Sequence, residues 1–410
     1  MLQGMLAAVS GVDTSTVWLN VIGNNLANSN TVGFKASNVN FETQIYDTYQ
    51  PAAQPVNGYL GSNPQSVGLG TKVESTNQNF SQGTLDQTGI ASNLAINGGG
   101  FFVVQNGSGQ QFLTRAGNFT LSPTANDLVT QNGLALDGWM AGAGGVINTA
   151  APAGPITIPM GMKIIANPTS KLNFQGNLDS NLAVGSSTTV SLDVYDSLGN
   201  SHTLDFAFTN TGGNTWSWTA TDPTGTLSLS GNTGTITFNT SGAYVSSTGG
   251  PITFTPPGAA AESITPNFSS FTQFATANTA YLNSQDGYPA GALQSFSVDQ
   301  NGFVTGNFTN GQTSVLAQVA IGMVANPQGL TPAGNNNWTF SMNSGTVVMT
   351  PPNSGQAGAI VGGALENSNT DIAGQMTALV MAERGLQLDS KMITTEDAVL
   401  NTLVTMKQLP

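Results

Sequence analysis

Cysteine is absent from this chain, so no disulfide can staple it. Charge is nearly as scarce. Asp, Glu, Lys and Arg make up 7% of 410 residues, against about a quarter in ordinary globular domains. No Lys or Arg occurs between Lys171 and Arg384, and the net charge is −13. Displacing counterions from a phosphate backbone needs basic side chains, so nucleic acid is excluded as a partner and an anionic membrane surface is disfavoured. No run of about 18 apolar residues occurs, because Asp13, Asn20, Asn24 and Asn25 interrupt the apolar N-terminal stretch; no membrane insertion is expected. The first basic residue is Lys35, so the basic region that opens a secretory signal is missing. Proline is missing from both ends: apart from Pro410, every proline lies between Pro51 and Pro352. Helix-compatible ends thus flank a helix-incompatible middle.

What is present is apolar, small and neutral. Hydrophobic residues reach 39%, enough for real cores, and glycine reaches 50 residues. Solubility must come from Ser, Thr, Asn and Gln, a composition common in extracellular β-rich proteins. An exported composition without a basic leader points to a dedicated export route. The length suggests two or three domains.

The two ends carry the strongest periodicity. Leu2, Met5, Val9, Val12, Thr16, Leu19, Gly23 and Leu26 alternate spacings of three and four, as in a coiled-coil seam. Leu365, Ile372, Leu379, Leu386, Ile393 and Leu400 recur every seven residues, with Met376, Ala382, Leu403 and Met406 beside them. A strict period of seven implies left-handed supercoiling against a partner. The remaining faces of the first helix hold Ala7, Ala8, Ser10, Gly11, Ser15 and Asn20. A helix that is small and neutral all round is usually buried on several sides. Periodicity alone leaves open a helical hairpin within one chain and a packing of several copies.

The middle reads as β structure. Phe101–Val104 and Phe112–Arg115 flank an Asn106–Gly109 turn, and Phe119–Leu121, Leu128–Thr130 and Leu134–Leu136 repeat the pattern. After the Gly/Ala/Pro-rich boundary Gly142–Pro159, strands are expected over Thr188–Tyr195, Thr203–Phe208, Trp216–Trp218 and Thr235–Phe238, then over Phe296–Val298, Phe303–Thr305 and Val315–Val324. Phe41–Tyr49 reads as a short helix or an extended arm, and 51–70 as a loop. The expected fold class is α+β: paired terminal helices form a coiled-coil segment, with two nested, mostly antiparallel β domains in between. The expected boundaries are 1–30 with 366–410 for the terminal helices, 31–72 for a connecting arm, 73–160 with 282–365 for a middle β domain, and 161–281 for an inserted outer β domain.

No catalytic constellation is found, and no catalytic, metal or cofactor-binding residue is assigned. The single histidine, His202, sits beside a hairpin turn, and no G-x-S-x-G elbow supplies a nucleophile. One His without Cys leaves too few zinc ligands. Gly98–Gly100 precedes a strand rather than a helix, so it is no dinucleotide cradle. Trp216 and Trp218 could stack on a sugar, but at i, i+2 they are more often a core feature.

Residues Ile22-Gly23-Asn24-Asn25-Leu26-Ala27-Asn28-Ser29-Asn30-Thr31-Val32-Gly33-Phe34-Lys35 resemble the N-terminal signature of bacterial flagellar rod and hook proteins. Asn24, Asn25, Ala27, Asn28, Thr31, Gly33, Phe34 and Lys35 carry the match. Gly99–Phe102, Thr114–Phe119 and Leu128–Gly133 look like that family's first β domain, and Leu365–Asp371 with the helix through Leu403 looks like its C-terminal segment. Where the family usually has Gln-Arg before an aromatic, this chain has Glu383-Arg384-Gly385-Leu386. The long middle insertion is similar to that of the hook-forming members; rod members are shorter. The resemblance implies a structural subunit that polymerises in many copies into a curved, flexible tube passing motor torque to the filament. It also implies export through the flagellar type III apparatus, and a distal rod protein, a hook cap protein and a hook–filament junction protein as partners. A distal rod subunit is the alternative reading, and a glycan-binding surface adhesin a more distant one.

Overall fold

A computed structural model describes residues 2–54 and 60–407. The chain divides into two compact units, one of Met1–Ile158, Ser297–Thr305 and Val315–Pro410, the other of Pro159–Phe296 and Gly306–Ser314. The class is α+β, with a helix at each end of the chain and antiparallel strands predominating between them.

In the first unit, α1 (Leu2–Ala27) and α2 (Ile372–Lys407) are the two long helices. Leu365 falls outside α2. It lies in the strand Ala364–Glu366, which pairs with Leu85–Gln87, so its place in the seven-residue series is a coincidence of spacing. The stretch read as an arm and a loop is also paired. Ser37–Thr43 runs antiparallel to Thr71–Gln78, and Tyr46–Gln50 to Gln65–Gly68. The second ribbon is exposed on both faces and needs no apolar alternation, which hid it; the first has one half-buried face.

The β portion of this unit is built on Phe101–Gln105, hydrogen-bonded to Gln111–Thr114 on one side and to Ala135–Met140 on the other. Phe101, Val103, Leu113, Leu330 and Trp338 form one core cluster, and Phe102 packs edge-on to Phe119 at 5.3 Å.

The second unit is a two-sheet structure. A five-stranded meander runs from Ser187–Tyr195 through Ser201–Gly212, Thr215–Thr221 and Thr233–Phe238 to Tyr244–Ser247. A four-stranded sheet contains one parallel pair, Lys171–Asn177 with Glu262–Thr272. Period-2 alternation sends Leu204, Phe206 and Phe208, then Trp216, Trp218 and Ala220, into one core with Phe174, Phe268 and Phe271. Trp216 and Trp218 are 0% and 1% exposed, which removes them as a sugar platform. His202 closes the Asp196–Asn200 turn, its Nε2 lying 3.0 Å from Asp196 Oδ2. Burial raises the Asp196 carboxyl, but His202, Asn200 and backbone N–H donors outweigh it and hold the pKa at about 2.

Candidate assembly interface

The helices α1 and α2 pack antiparallel. Gly4 faces Glu396, Gly11 faces Asp389, Ser15 faces Gly385, and Asn25 Nδ2 donates to Gln375 Oε1 at 3.1 Å. On α2 the side toward α1 carries the seven-residue series: Leu379, Leu386, Ile393 and Leu400 are half-buried, and Ala382 is buried. Ile372 and Leu403 are exposed.

On α1 the buried stripe is Ala8, Gly11, Thr14, Ile22 and Asn25. The seam read from the sequence is displaced from it. Met5, Val12, Leu19 and Leu26 are half-buried and Val9 is 41% exposed; Leu2 lies in α1, but its side chain is outside those described. Small residues let the two backbones approach closely, whereas counting large apolar residues selects the neighbouring stripe. The close approach is sharp at Gly11, where a Cβ would stand 2.8 Å from Asp389 Cγ.

Where α1 ends, the signature residues build a junction. Asn28 Nδ2 and N–H both donate to Asn24 O, and Thr31 Oγ1 donates to Asn28 Oδ1 at 3.1 Å. Ala27 is the last residue of α1. Buried Asn25 clamps the outgoing strand, its Nδ2 donating to Ser37 O at 2.8 Å and its Oδ1 accepting from Ser37 N–H at 2.9 Å. Gly33 has φ +68°, and its N–H donates to Glu366 O at 2.7 Å. A Cβ there would lie 2.5 Å from the backbone nitrogen of Ala116, so the position requires glycine on two counts. Phe34 is half-buried, and its carbonyl accepts from Asn369 N–H at 3.4 Å.

Lys35 completes the junction. Its Nζ donates to Glu366 Oε1 at 2.7 Å and to Ser81 O at 2.8 Å, with no side-chain exposure on Lys35 or Glu366. Arg115 Nη1 reaches Glu366 Oε2 at 3.1 Å, and Gly83 N–H donates to Glu366 Oε1 at 2.9 Å. Burial pulls both cations below their ordinary pKa values, and the Glu366 charge opposes that pull. A carboxylate held between two cations and a backbone donor satisfies the condition under which buried charge is tolerated. The triad links the segment after α1, the strand before α2 and the β portion of the unit. Neither Arg115 nor Glu366 was selected as a site from the sequence. The available signal was their setting: two charges inside apolar or glycine-rich stretches of a chain that has few.

Among the described residues no group of three or more His, Asp or Glu is placed to hold a metal ion. One helix, Gln3–Ala27, is long and apolar enough by length and composition to cross a membrane; one of its stripes is taken up by α2.

Four families match successive parts of the chain: Flagella basal body rod protein at 5–35, Flagellar hook protein FlgE/F/G D1 domain at 95–172, Flagellar basal body protein FlaE D2 domain at 166–288, and Flagellar basal body rod FlgEFG protein C-terminal at 361–406. Among curated relatives, the flagellar hook protein FlgE of Treponema pallidum is 33% identical over 100% of both chains. That of Salmonella typhimurium is 34% identical over 98% of this chain and 99% of the relative. The crystal structure of Helicobacter pylori flagellar hook protein FlgE2 shares the fold at a TM-score of 0.51 and 14% identity, covering 70% of this chain and 99% of that one.

Proposed function

The chain belongs to the flagellar hook protein FlgE family, and from that premise we propose that it polymerises through its paired terminal helices into the curved, flexible tube of the hook. It is a structural subunit of the bacterial flagellum. Relatives matched over the whole chain are hook proteins, so the distal rod alternative is set aside; the adhesin reading lost its platform when both tryptophans proved to be core.

One observation carries the assembly reading. Flanking the side of α2 that meets α1 runs a second, exposed apolar stripe, with Met381, Leu388, Met392, Val399 and Leu403 each at least 43% open to solvent. A helix apolar on two sides needs more than one partner helix. In this reading Met5, Val9, Val12, Leu19 and Leu26 on α1, and Ile372 and Leu403 on α2, complete contacts between copies. The half-buried Leu379, Leu386, Ile393 and Leu400 hold the pair together. The apolar length of α1 serves helix packing rather than membrane insertion.

In the proposed tube the paired terminal helices form the innermost layer. The distal rod protein, the hook cap protein and the hook–filament junction protein are the partners, with export through the flagellar type III apparatus. No catalytic role is assigned. The test is genetic. Cells lacking this chain should build basal bodies without hooks, and the intact gene should restore them. A gene carrying Leu386→Glu, which buries an unpaired charge in the helix seam, should not. Normal hooks in the deletion strain would overturn the reading.

A further inference from the structure

A cavity of about 430 Å³ opens where α1, α2 and the strand Ser37–Thr43 converge. Its walls include Ala7, Gly11, Trp18, Phe41, Gly70 and Asp389. Trp18 and Phe41 meet edge to face with centroids 5.7 Å apart. The Asp389 carboxylate has no hydrogen-bond or ion-pair partner among the described residues, and burial alone raises its pKa. Aromatic rings beside an uncompensated carboxylate are the chemistry that takes a cation.

Among the described side chains of the first unit, one cation is left without a partner. Lys35 and Arg115 are locked in the buried triad, and Lys72 is paired with Glu42 at 2.7 Å. On α2, Arg384 is engaged with Gln387 Oε1 at 3.0 Å. Lys391 is exposed and its side chain has no partner among the described residues. In a helix of 3.6 residues per turn, Lys391 stands about 160° around α2 from Asp389. With Leu386, Ser390 and Thr394 it lines a groove of about 360 Å³. A cation on one side of a helix and its receptor on the other make a heterologous contact that repeats from copy to copy.

We propose that this cavity is the receptor for Lys391 of a second copy of the chain, its ammonium seated between the Asp389 carboxylate and the Trp18–Phe41 pair. The inference rests on the polymer reading and names the contact that sets its register.

The test uses the purified full-length chain, with tube formation followed by sedimentation and electron microscopy, and helix content by circular dichroism. Lys391→Gln changes an exposed, unpartnered side chain and should leave the monomer folded. It should raise the concentration needed for tubes about tenfold, the factor for losing some 1.4 kcal/mol of contact. Lys391→Arg should stay close to wild type, Asp389→Asn should match Lys391→Gln, and the swap Lys391→Glu with Asp389→Lys should polymerise better than Lys391→Glu alone. Wild-type behaviour of both Lys391→Gln and Asp389→Asn, with normal tubes, would overturn this site and leave the hook reading intact. A swap no better than Lys391→Glu alone would also overturn it. A wild-type chain that forms no tubes would overturn both.

Discussion

Lys35 and Glu366 stand 331 residues apart in sequence and meet at 2.7 Å with no solvent on either side chain. The lysine closes the segment that follows α1, and the glutamate ends the strand before α2. Arg115 brings the β portion to the same carboxylate. The three charges make one joint, and its consequences are measurable.

Glu366→Gln would leave two buried cations without their anion. Removing one partner of a buried charge network costs roughly 3–5 kcal/mol. Denaturant unfolding of the purified monomer should show a loss of that size. A loss under about 1 kcal/mol would mean that the joint is solvated and does not hold the unit together.

Gly33→Ala puts a Cβ into a left-handed backbone position and against the Ala116 backbone. Forced positive φ costs on the order of 1–3 kcal/mol, with the contact adding to it. The variant should melt below wild type, and by more than Gly98→Ala, whose nearest obstacle is farther away at 2.9 Å. Equal melting temperatures would show that the segment relaxes freely.

Asp137 is fully buried, accepts one bond from Gln111 Nε2 at 3.1 Å, and leaves Oδ1 unpartnered. Burial pushes its pKa up to about 6 from 3.8. A folded pKa above the unfolded one means a stabilising contribution that is complete below about pH 4 and lost as pH rises through 6. Asp137→Asn should therefore gain on wild type between pH 4 and 7, by about 2–3 kcal/mol at pH 8. A difference that does not change with pH would contradict the assignment.

Trp218→Ala removes a 1%-exposed side chain stacked on Phe206 and tilted against Phe268. The expected cost is about 3–5 kcal/mol. Limited proteolysis should cut first within residues 159–296, and resistance equal to wild type would show that this core is not the unit's main support.

The two helices, the hairpins around Phe101 and the meander through Trp216 were legible because period 3.5 and period 2 are strong in those residues. The face of α1 that meets α2 was not. Gly4, Ala8 and Gly11 carry no hydrophobic signal, yet smallness lets α2 approach, while Val9 drew the seam to the wrong stripe. Leu365 shows the opposite error, a heptad position that a strand happens to occupy. The strands Tyr46–Gln50 and Gln65–Gly68 are exposed throughout and lack apolar alternation, so nothing local announced them; β structure was expected from residue 73, but not its pairing with Ser37–Thr43. Lys35 was singled out through the family signature, but its partners Arg115 and Glu366 are 80 and 331 residues away, and no local pattern pairs residues at that distance.

The central claim is that this chain makes a bending tube with its terminal helices innermost. Electron cryomicroscopy of the polymer formed by the purified full-length chain tests it most directly. The account predicts curved tubes with α1 and α2 at the smallest radius. Straight rods, or a polymer with the helices outside, would contradict it.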